Sequence, residues 1–382
     1  MMWTVHLEGG PRRVNHAAVA VPEKRRIYSF GGYCTGEDYH NTRPMDVHVL
    51  NTVTNKWRAI PTPKPEDPDY KETPYQRYGH SAVEYEGCAY IWGGRNDSQG
   101  ACDILWCFNT DTEKWSRVRD QGAKPGGRDG HSACVIRDTM YIFGGYEEEI
   151  DRFCNDIYCL DFNTFTWTKC LIQSDTAPLW RDFHTSTSVG DEIYVFGGRS
   201  DRGGPIYTNH EVYSNRVHVF NTLSCRWSCP TTTGEEPVGR RSHSCFVHNG
   251  LVFIFGGYNG ELNQHFGDLC CFDPESCVWR SVKTMGVPPC PRRRQCCCVL
   301  GDKVYIFGGT SPQANKLTEN DSDLTDLHDL HVLEFAPSLK TLCLLTVIKR
   351  KLPTDGLPQI IRWEISNMTT NSTITRTQSN NG

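Results

Sequence analysis

A six-bladed all-β propeller is the fold class this sequence predicts, and three regularities predict it. The pair Gly-Gly closes a short apolar run six times, at Gly31-Gly32, Gly93-Gly94, Gly144-Gly145, Gly197-Gly198, Gly256-Gly257 and Gly308-Gly309, at intervals of 51 to 62 residues. Six tryptophans, Trp3, Trp57, Trp115, Trp167, Trp227 and Trp279, recur at intervals of 52 to 60 residues. Each interval also breaks into four short runs rich in β-branched and aromatic residues, which read as strands. A period near 50 residues signals an array of like units around shared interfaces.

The unit is clearest over residues 128–167. Arg128-x-x-His131 opens it and leads into an alternating small and apolar run. A polar turn follows, then Met140-Tyr-Ile-Phe143-Gly144-Gly145, where glycine permits positive φ or close packing at the end of the second strand. Ile157–Asp161 supplies the third strand and Trp167 marks the fourth. Four strands cannot bury both faces alone, whereas six such sheets set radially bury them against one another.

The first five units each carry a tryptophan after the doublet, but the sixth ends at Leu330-His-Val-Leu333 without one. Trp3 precedes the first unit. The Trp3–Val5 segment is therefore expected to supply the outer strand of the sixth blade, closing the ring and removing two open sheet edges. The pattern resembles the kelch repeat over residues 3–335, and that resemblance implies a β-propeller.

Composition narrows the class. With 382 residues and a net charge of −5, the chain has no general attraction for nucleic acid, and no run of 18 apolar residues suggests a membrane span. Nineteen cysteines are scattered through strand runs without framework spacing, which fits reduced buried thiols. The start lacks a signal-peptide apolar region, so the expected location is cytoplasmic, with the nucleus left open. No Cys-x-x-Cys or His-x-x-x-His spacing points to a metal, and no cofactor is expected.

Strand alternation puts the connection after Gly-Gly and the connection between blades on one face. Those are the long segments 33–45, 61–75, 199–215 and 310–326, and long loops on a rigid scaffold concentrate binding residues. The blade-opening motifs read Arg13-x-x-His16, Arg77-x-x-His80, Arg128-x-x-His131, Arg181-x-x-His184, Arg240-x-x-His243 and Arg292-x-x-Gln295. Because they recur, these residues are first read as repeated inter-blade bonds. Arg241, Arg293 and Arg294, and Arg95, Arg199 and Arg202 after two glycine doublets, have no repeat role. Grouped on one face they suit a carboxylate or phosphate, since guanidinium offers two parallel hydrogen bonds. A solvated rim paired with Asp182, Asp201 or Glu235 is the alternative. Nearby aromatics include Tyr33, Tyr146, Trp180, Phe183, Tyr207 and Tyr258, which suit an extended peptide end or a modified-lysine cage.

After Phe335 the pattern changes. Leu339, Leu342, Cys343 and Val347 fall at helical spacing behind Ser338, a candidate cap, and before Lys349-Arg-Lys351. This stretch resembles a BC box, the helix that docks into elongin C, and Leu357-Pro358-Gln-Ile-Ile361 resembles the segment that selects cullin-2. Residues 338–365 are thus expected to be an adaptor, and residues 366–382 a disordered polar tail.

Propeller and adaptor together resemble the kelch-domain substrate receptors of cullin-2 RING ubiquitin ligases. The resemblance implies a non-catalytic receptor that binds proteins ending in glycine. Its partners would be elongin B/C, cullin-2 and a RING subunit. In a relative, the arginine after the fourth doublet grips the terminal carboxylate, and Arg199 stands at that place. Arg202 is an inexact counterpart of the relative's second arginine, and Arg241 replaces a serine. The sites expected on this reading are Arg199, Arg202, Arg240, Arg241, Arg293, Arg294, Arg95, Tyr146, Trp180 and Tyr258 for the substrate end. Leu339, Leu342, Cys343, Val347, Leu357, Pro358 and Ile361 would serve the adaptor. The chain ends in Gly382, so self-association through that residue is a further expectation. A chromatin-binding or actin-binding kelch propeller remains the alternative; the copper oxidase built on this fold needs a Tyr/His/Cys metal site, and no such constellation stands out.

Overall fold

Six sheets of four antiparallel strands, five of them built from strands consecutive in the chain, form the blades of the computed structural model, which describes residues 1–37, 41–173, 176–313 and 324–376. Blade 3 is typical, with Ser132–Ile136, Thr139–Phe143, Ile157–Asp161 and Thr166–Lys169 in order from the inside out. Blade 6 is made from both ends of the chain. Met2–Leu7 pairs antiparallel with Leu330–Glu334, from Met2 opposite Glu334 to Leu7 opposite Leu330, with a register shift between Trp3 and Val5. The expected closure is therefore present, and Trp3 takes the tryptophan position the sixth unit lacked. Its ring is 5 % exposed and packs on Phe255, while its indole N–H donates to Thr284 Oγ1 at 2.9 Å.

The core lies between blades rather than within them. Trp57 packs with Phe307 between blades 1 and 6, Trp167 with Trp92 between blades 3 and 2, and Trp279 with Phe196 between blades 5 and 4. The side chain that gives the repeat its period is thus the one that fills each interface.

The blade-opening motifs fasten the blades in three ways. The arginine donates to the carbonyl of the first doublet glycine of its own blade in five cases, as Arg181 does to Gly197 at 2.8 Å and Arg240 to Gly256 at 3.0 Å. The histidine reaches the preceding blade, as His184 Nε2 does to Ser132 Oγ at 2.7 Å and His243 Nε2 to Thr185 Oγ1 at 2.7 Å. Burial beside the motif arginine pushes His131 and His243 down to about 3, so they stay neutral. Between them, the third motif residues close a circle of backbone bonds around the axis. Asn15, Gly79, Gly130, Phe183, Ser242 and Arg294 each donate N–H to the carbonyl of the one before, at 2.7 to 3.2 Å. All six have positive φ, between 48° and 70°.

After Phe335 the chain forms two helices. Helix α1 is Leu339–Arg350, with Ser338 Oγ accepting the Thr341 N–H as the expected N-cap, and α2 is Gln359–Thr369. The tail differs from its expected disorder. Residues 366–369 belong to α2, Ser372 is buried, and Thr375–Arg376 adds a strand parallel to Arg58-Ala59 on the outer edge of blade 1. The apolar and hydrogen-bonding content that holds it lies in the propeller, where composition of the tail alone does not reveal it. Residues 377–382, including Gly382, fall outside the described residues.

Candidate functional site

Repeat geometry selects twelve positions for the mouth of the axial channel. The second residue of each blade-opening motif pairs with the residue directly after a glycine doublet. The pairs are Val14 with Tyr33, Tyr78 with Arg95, Asp129 with Tyr146, Asp182 with Arg199, Arg241 with Tyr258, and Arg293 with Thr310. The doublet makes this approach possible. A Cβ on Gly198, at φ +91°, would stand 2.8 Å from the Asp182 carbonyl oxygen and 2.7 Å from His184 Cβ. Beneath the mouth, a cavity of about 120 Å³ is lined by the axial circle and the motif histidines.

Charge is divided across this bowl. Arg199 and Arg241 converge on one oxygen, donating to Glu211 Oε1 at 3.3 and 3.2 Å. Arg199 also grips both oxygens of Asp182, which is 1 % exposed. Its guanidinium lies among Tyr207, Phe153 and Phe183, with ring centroids at 4.9, 5.4 and 5.9 Å. Burial alone would lower the pKa of Arg199, but Asp182 and Glu211 hold it above the usual arginine range. Burial would likewise raise Glu211, yet Arg241, the Tyr213 hydroxyl and Arg199 hold it below the usual carboxylate range. Arg293 lies 4.4 Å above the Tyr258 ring, and Arg294 donates to the Tyr33 hydroxyl at 2.6 Å. Across the bowl, burial and the nearby Asp182 charge push Asp129 up to about 7, although Arg95 and Arg199 oppose the shift.

The structure thus brings together Arg199, Arg241, Arg293, Arg294, Arg95, Tyr146 and Tyr258. Three other expected residues stand differently. Arg240 is 1 % exposed and spends its N–H groups on Val238 O, Gly256 O and Asp268, so it fastens the blade and does not face the bowl. Arg202 is 69 % exposed and pairs with Glu261 on the loop of the next blade at 2.8 Å. Trp180 stands outside the twelve positions and offers its carbonyl to Ser200 Oγ at 2.7 Å. The reading of residues missed Glu211, Phe153 and Asp129. Asp129 was legible, because the second motif position fixes it, whereas Glu211 and Phe153 arrive on loops of irregular length.

The alternative of a rim paired with acids is met in part, since Arg199 pairs with Asp182 but uses Glu211 in place of Asp201 or Glu235. At the ring closure, His6, Asp329 and His331 offer atoms within 4.8 Å of one another. Arg292 already holds both Asp329 oxygens at 2.7 and 2.6 Å, so a cation there would meet a buried guanidinium.

The adaptor segment presents most of its expected face. Leu339 is 76 % exposed, Leu342 and Cys343 are exposed, and Val347 is partly covered. Leu344, one position off that face, is the buried anchor. Pro358 is exposed at the N-cap of α2, and Leu357 and Ile361 are partly covered. Lys340 and Glu364 tie the two helices at 2.5 Å. No described helix is long and apolar enough to cross a membrane.

Comparison with known proteins places this geometry. Residues 79–309 match the KLHDC2/KLHL20/DRC7 Kelch-repeats domain, and residues 12–64 match a Kelch motif. The chain is 54 % identical to kelch domain-containing protein 3 of Bos taurus over 378 residues, covering 98 % of each chain. Identity to that protein of Homo sapiens is 53 % over the same length and coverage. The host cell factor of Drosophila melanogaster is 30 % identical over 296 residues, covering 73 % of this chain and 19 % of that protein.

Proposed function

The chain belongs to the kelch-repeat family and, within it, to the group of kelch domain-containing protein 3; from that premise we propose that it is the substrate-recognition subunit of a cullin-2 RING ubiquitin ligase. The propeller binds the free C-terminus of proteins ending in glycine. The observation that carries this reading is the meeting of Arg199 and Arg241 on a single carboxylate oxygen of Glu211. The bowl already holds a carboxylate between two guanidinium groups, and a peptide end has the same chemistry. Aromatic walls at Tyr207, Phe153 and Tyr258 exclude water, which strengthens charge-assisted hydrogen bonds. They also crowd any side chain on the terminal residue, which favours glycine.

The protein performs no bond chemistry on this account. Helix α1, with Leu339, Leu342, Cys343 and Val347 open, docks into elongin C, and Leu357, Pro358 and Ile361 select cullin-2. Ubiquitin transfer to the held protein then follows from proximity within the assembly. The cytoplasm is the proposed site of action.

Calorimetry with three peptides tests the substrate half. A glycine-ended peptide binds, while its C-terminal amide and a version extended by one residue do not. Equal affinity for the amide overturns the reading. Recovery of elongins and cullin-2 with the purified protein tests the adaptor half, and recovery of nucleosomes without elongins favours the chromatin alternative.

A further inference from the structure

The outer edges of blades 3, 5 and 6 are covered in a regular way. Six residues after its own tryptophan, the linker leaving a blade runs beside the outer strand of the next and adds a short parallel strand. Gln121-Gly122 covers Thr166-Trp167, Thr233-Gly234 covers Val278-Trp279, and Met285 bridges Met2 in parallel, with Gly286 following. Two backbone bonds recur. The sixth residue donates to the carbonyl two before the tryptophan, as Gln121 does to Phe165 at 3.0 Å and Thr233 to Cys277 at 3.1 Å. The eighth donates to the tryptophan carbonyl, as Ala123 does to Trp167 at 2.9 Å and Glu235 to Trp279 at 3.0 Å. The seventh is glycine at φ +87°, +89° and +86°, where a Cβ would stand 2.2 to 2.4 Å from the tryptophan oxygen.

In blade 4 Gln173 makes the first of these bonds, to Cys225 O at 3.1 Å, and blade 1 is covered by Thr375–Arg376 instead of by its linker, whereas blade 2 makes neither bond among the described residues. Counting from Trp57, the sixth, seventh and eighth residues of its incoming linker are Pro63, Lys64 and Pro65. Both donor positions hold proline, which has no N–H, and the glycine position holds lysine. The linker bows away, and among the described residues nothing pairs with the outer side of Lys114–Arg117. A groove of about 410 Å³ remains there, floored by Ile60 and Trp115 and walled by Pro61, Pro63 and Pro68. The carbonyls of Glu113 and Trp115 stand where Phe165 and Trp167 accept in blade 3.

We propose that this edge of blade 2 docks an extended segment of a second polypeptide, which adds as a fifth strand parallel to Lys114–Arg117. The segment has the form X-Gly-X with no proline on either side of the glycine. The residue before glycine donates to Glu113 O, the residue after it donates to Trp115 O, and the glycine passes the tryptophan carbonyl. The chain's own covering strands define that register three times over. Main-chain bonds to a sheet edge supply affinity, and the single position too tight for a Cβ supplies specificity.

The probe is a synthetic peptide copying residues 119–124, Arg-Asp-Gln-Gly-Ala-Lys, added to the full-length protein with the Trp115 indole resonance and amide exchange as readouts. Binding shifts that resonance and slows exchange in residues 113–117, and replacing the peptide's glycine by alanine weakens binding at least tenfold. In a variant combining Pro63→Gln, Lys64→Gly and Pro65→Ala, the rebuilt linker protects residues 113–117 without peptide and lowers peptide affinity at least tenfold. A peptide that leaves Trp115 unmoved, or that binds equally well with alanine or to the rebuilt variant, overturns the proposal. If truncation after Arg376 raises peptide affinity tenfold, the chain's own tail is the occupant and a second polypeptide is excluded.

Discussion

Replacing Glu211 by glutamine separates a carboxylate receptor from a merely structural ion-pair cluster. In the proposed complex the peptide carboxylate competes with Glu211 for Nη1 of Arg199 and Nη1 of Arg241. A hydrogen bond to a charged group contributes about 1.5–3 kcal/mol. Two like charges about 4 Å apart repel by about 4 kcal/mol at an effective dielectric near 20. Arg199 keeps Asp182 as a buried partner in the variant, so it stays positioned and charged. After allowance for the weaker contacts of the glutamine amide, Glu211→Gln is expected to tighten binding of a glycine-ended peptide by about 1.5–3 kcal/mol. That is roughly 10- to 150-fold in Kd. Titration calorimetry at fixed ionic strength reads it directly, with the amidated peptide as control. Unchanged or weaker affinity for the free acid, or an equal gain for the amide, refutes the argument that these guanidinium groups await a carboxylate.

Four further outcomes follow from the same geometry. Arg241→Ala should weaken the free-acid peptide by about 2 kcal/mol or more without unfolding the protein; Arg199→Ala should cost a similar amount but also strand Asp182, lowering stability by about 3–5 kcal/mol in urea titration. Asp129 should lose its proton in the unfolded chain before it does in the folded one, since burial raises it to about 7. Stability should therefore fall as pH rises from about 4 to about 7, by at most about 4 kcal/mol, and Asp129→Asn should remove that fall while matching the parent near pH 4. Trp3→Ala should cost about 3–5 kcal/mol by emptying the blade 5–6 interface, seen as a lower urea midpoint. Leu339→Asp should abolish elongin recovery without changing the melting temperature, because Leu339 is 76 % exposed, whereas Leu344→Asp should lower the melting temperature by burying a charge at the anchor.

The fold was legible because its determinants are local and repeated. A glycine doublet, a motif histidine (Gln295 in the sixth unit) and a tryptophan each solve one packing problem, and solving it six times writes a period into the chain. Closure could be read from one displaced tryptophan, Trp3. Half of the bowl was legible for the same reason: Arg199, Arg241 and Arg293 stand at positions whose direction the repeat fixes. Arg240 misled because it sits one residue from a bowl position, and in a strand one residue reverses the facing direction. Glu211 and Phe153 left no periodic trace, since their loops bring them in from irregular distances. Leu344 escaped for a different reason. A helix spacing shows which residues share a stripe, but not which stripe meets the blades.

Closure and adaptor are mechanically one unit, which bears on how a receptor can aim what it holds. The Glu8 N–H donates to Asn371 Oδ1 at 3.0 Å, and Ser372 N–H donates to Glu8 O at 2.8 Å, directly after the strand that closes the ring. Ser372 Oγ accepts the Trp57 N–H at 3.0 Å, and Asn55 Nδ2 donates to Asn367 O at 3.2 Å, so α2 and its continuation also grip blade 1. The segment after α2 therefore ties the closing strand to the first blade, beside the seam within blade 6 where Met2–Leu7 and Leu330–Glu334 meet by hydrogen bonds alone. A rigid disc fastened at that seam fixes the direction from the bowl to α1, because no flexible linker intervenes between them. For a receptor acting by proximity, that fixed direction sets which part of a bound protein faces the docked machinery. The same bonds oppose separation of the two chain ends, so on the proposed reading a partner docked on α1 and α2 would also steady the propeller through Glu8 and Ser372.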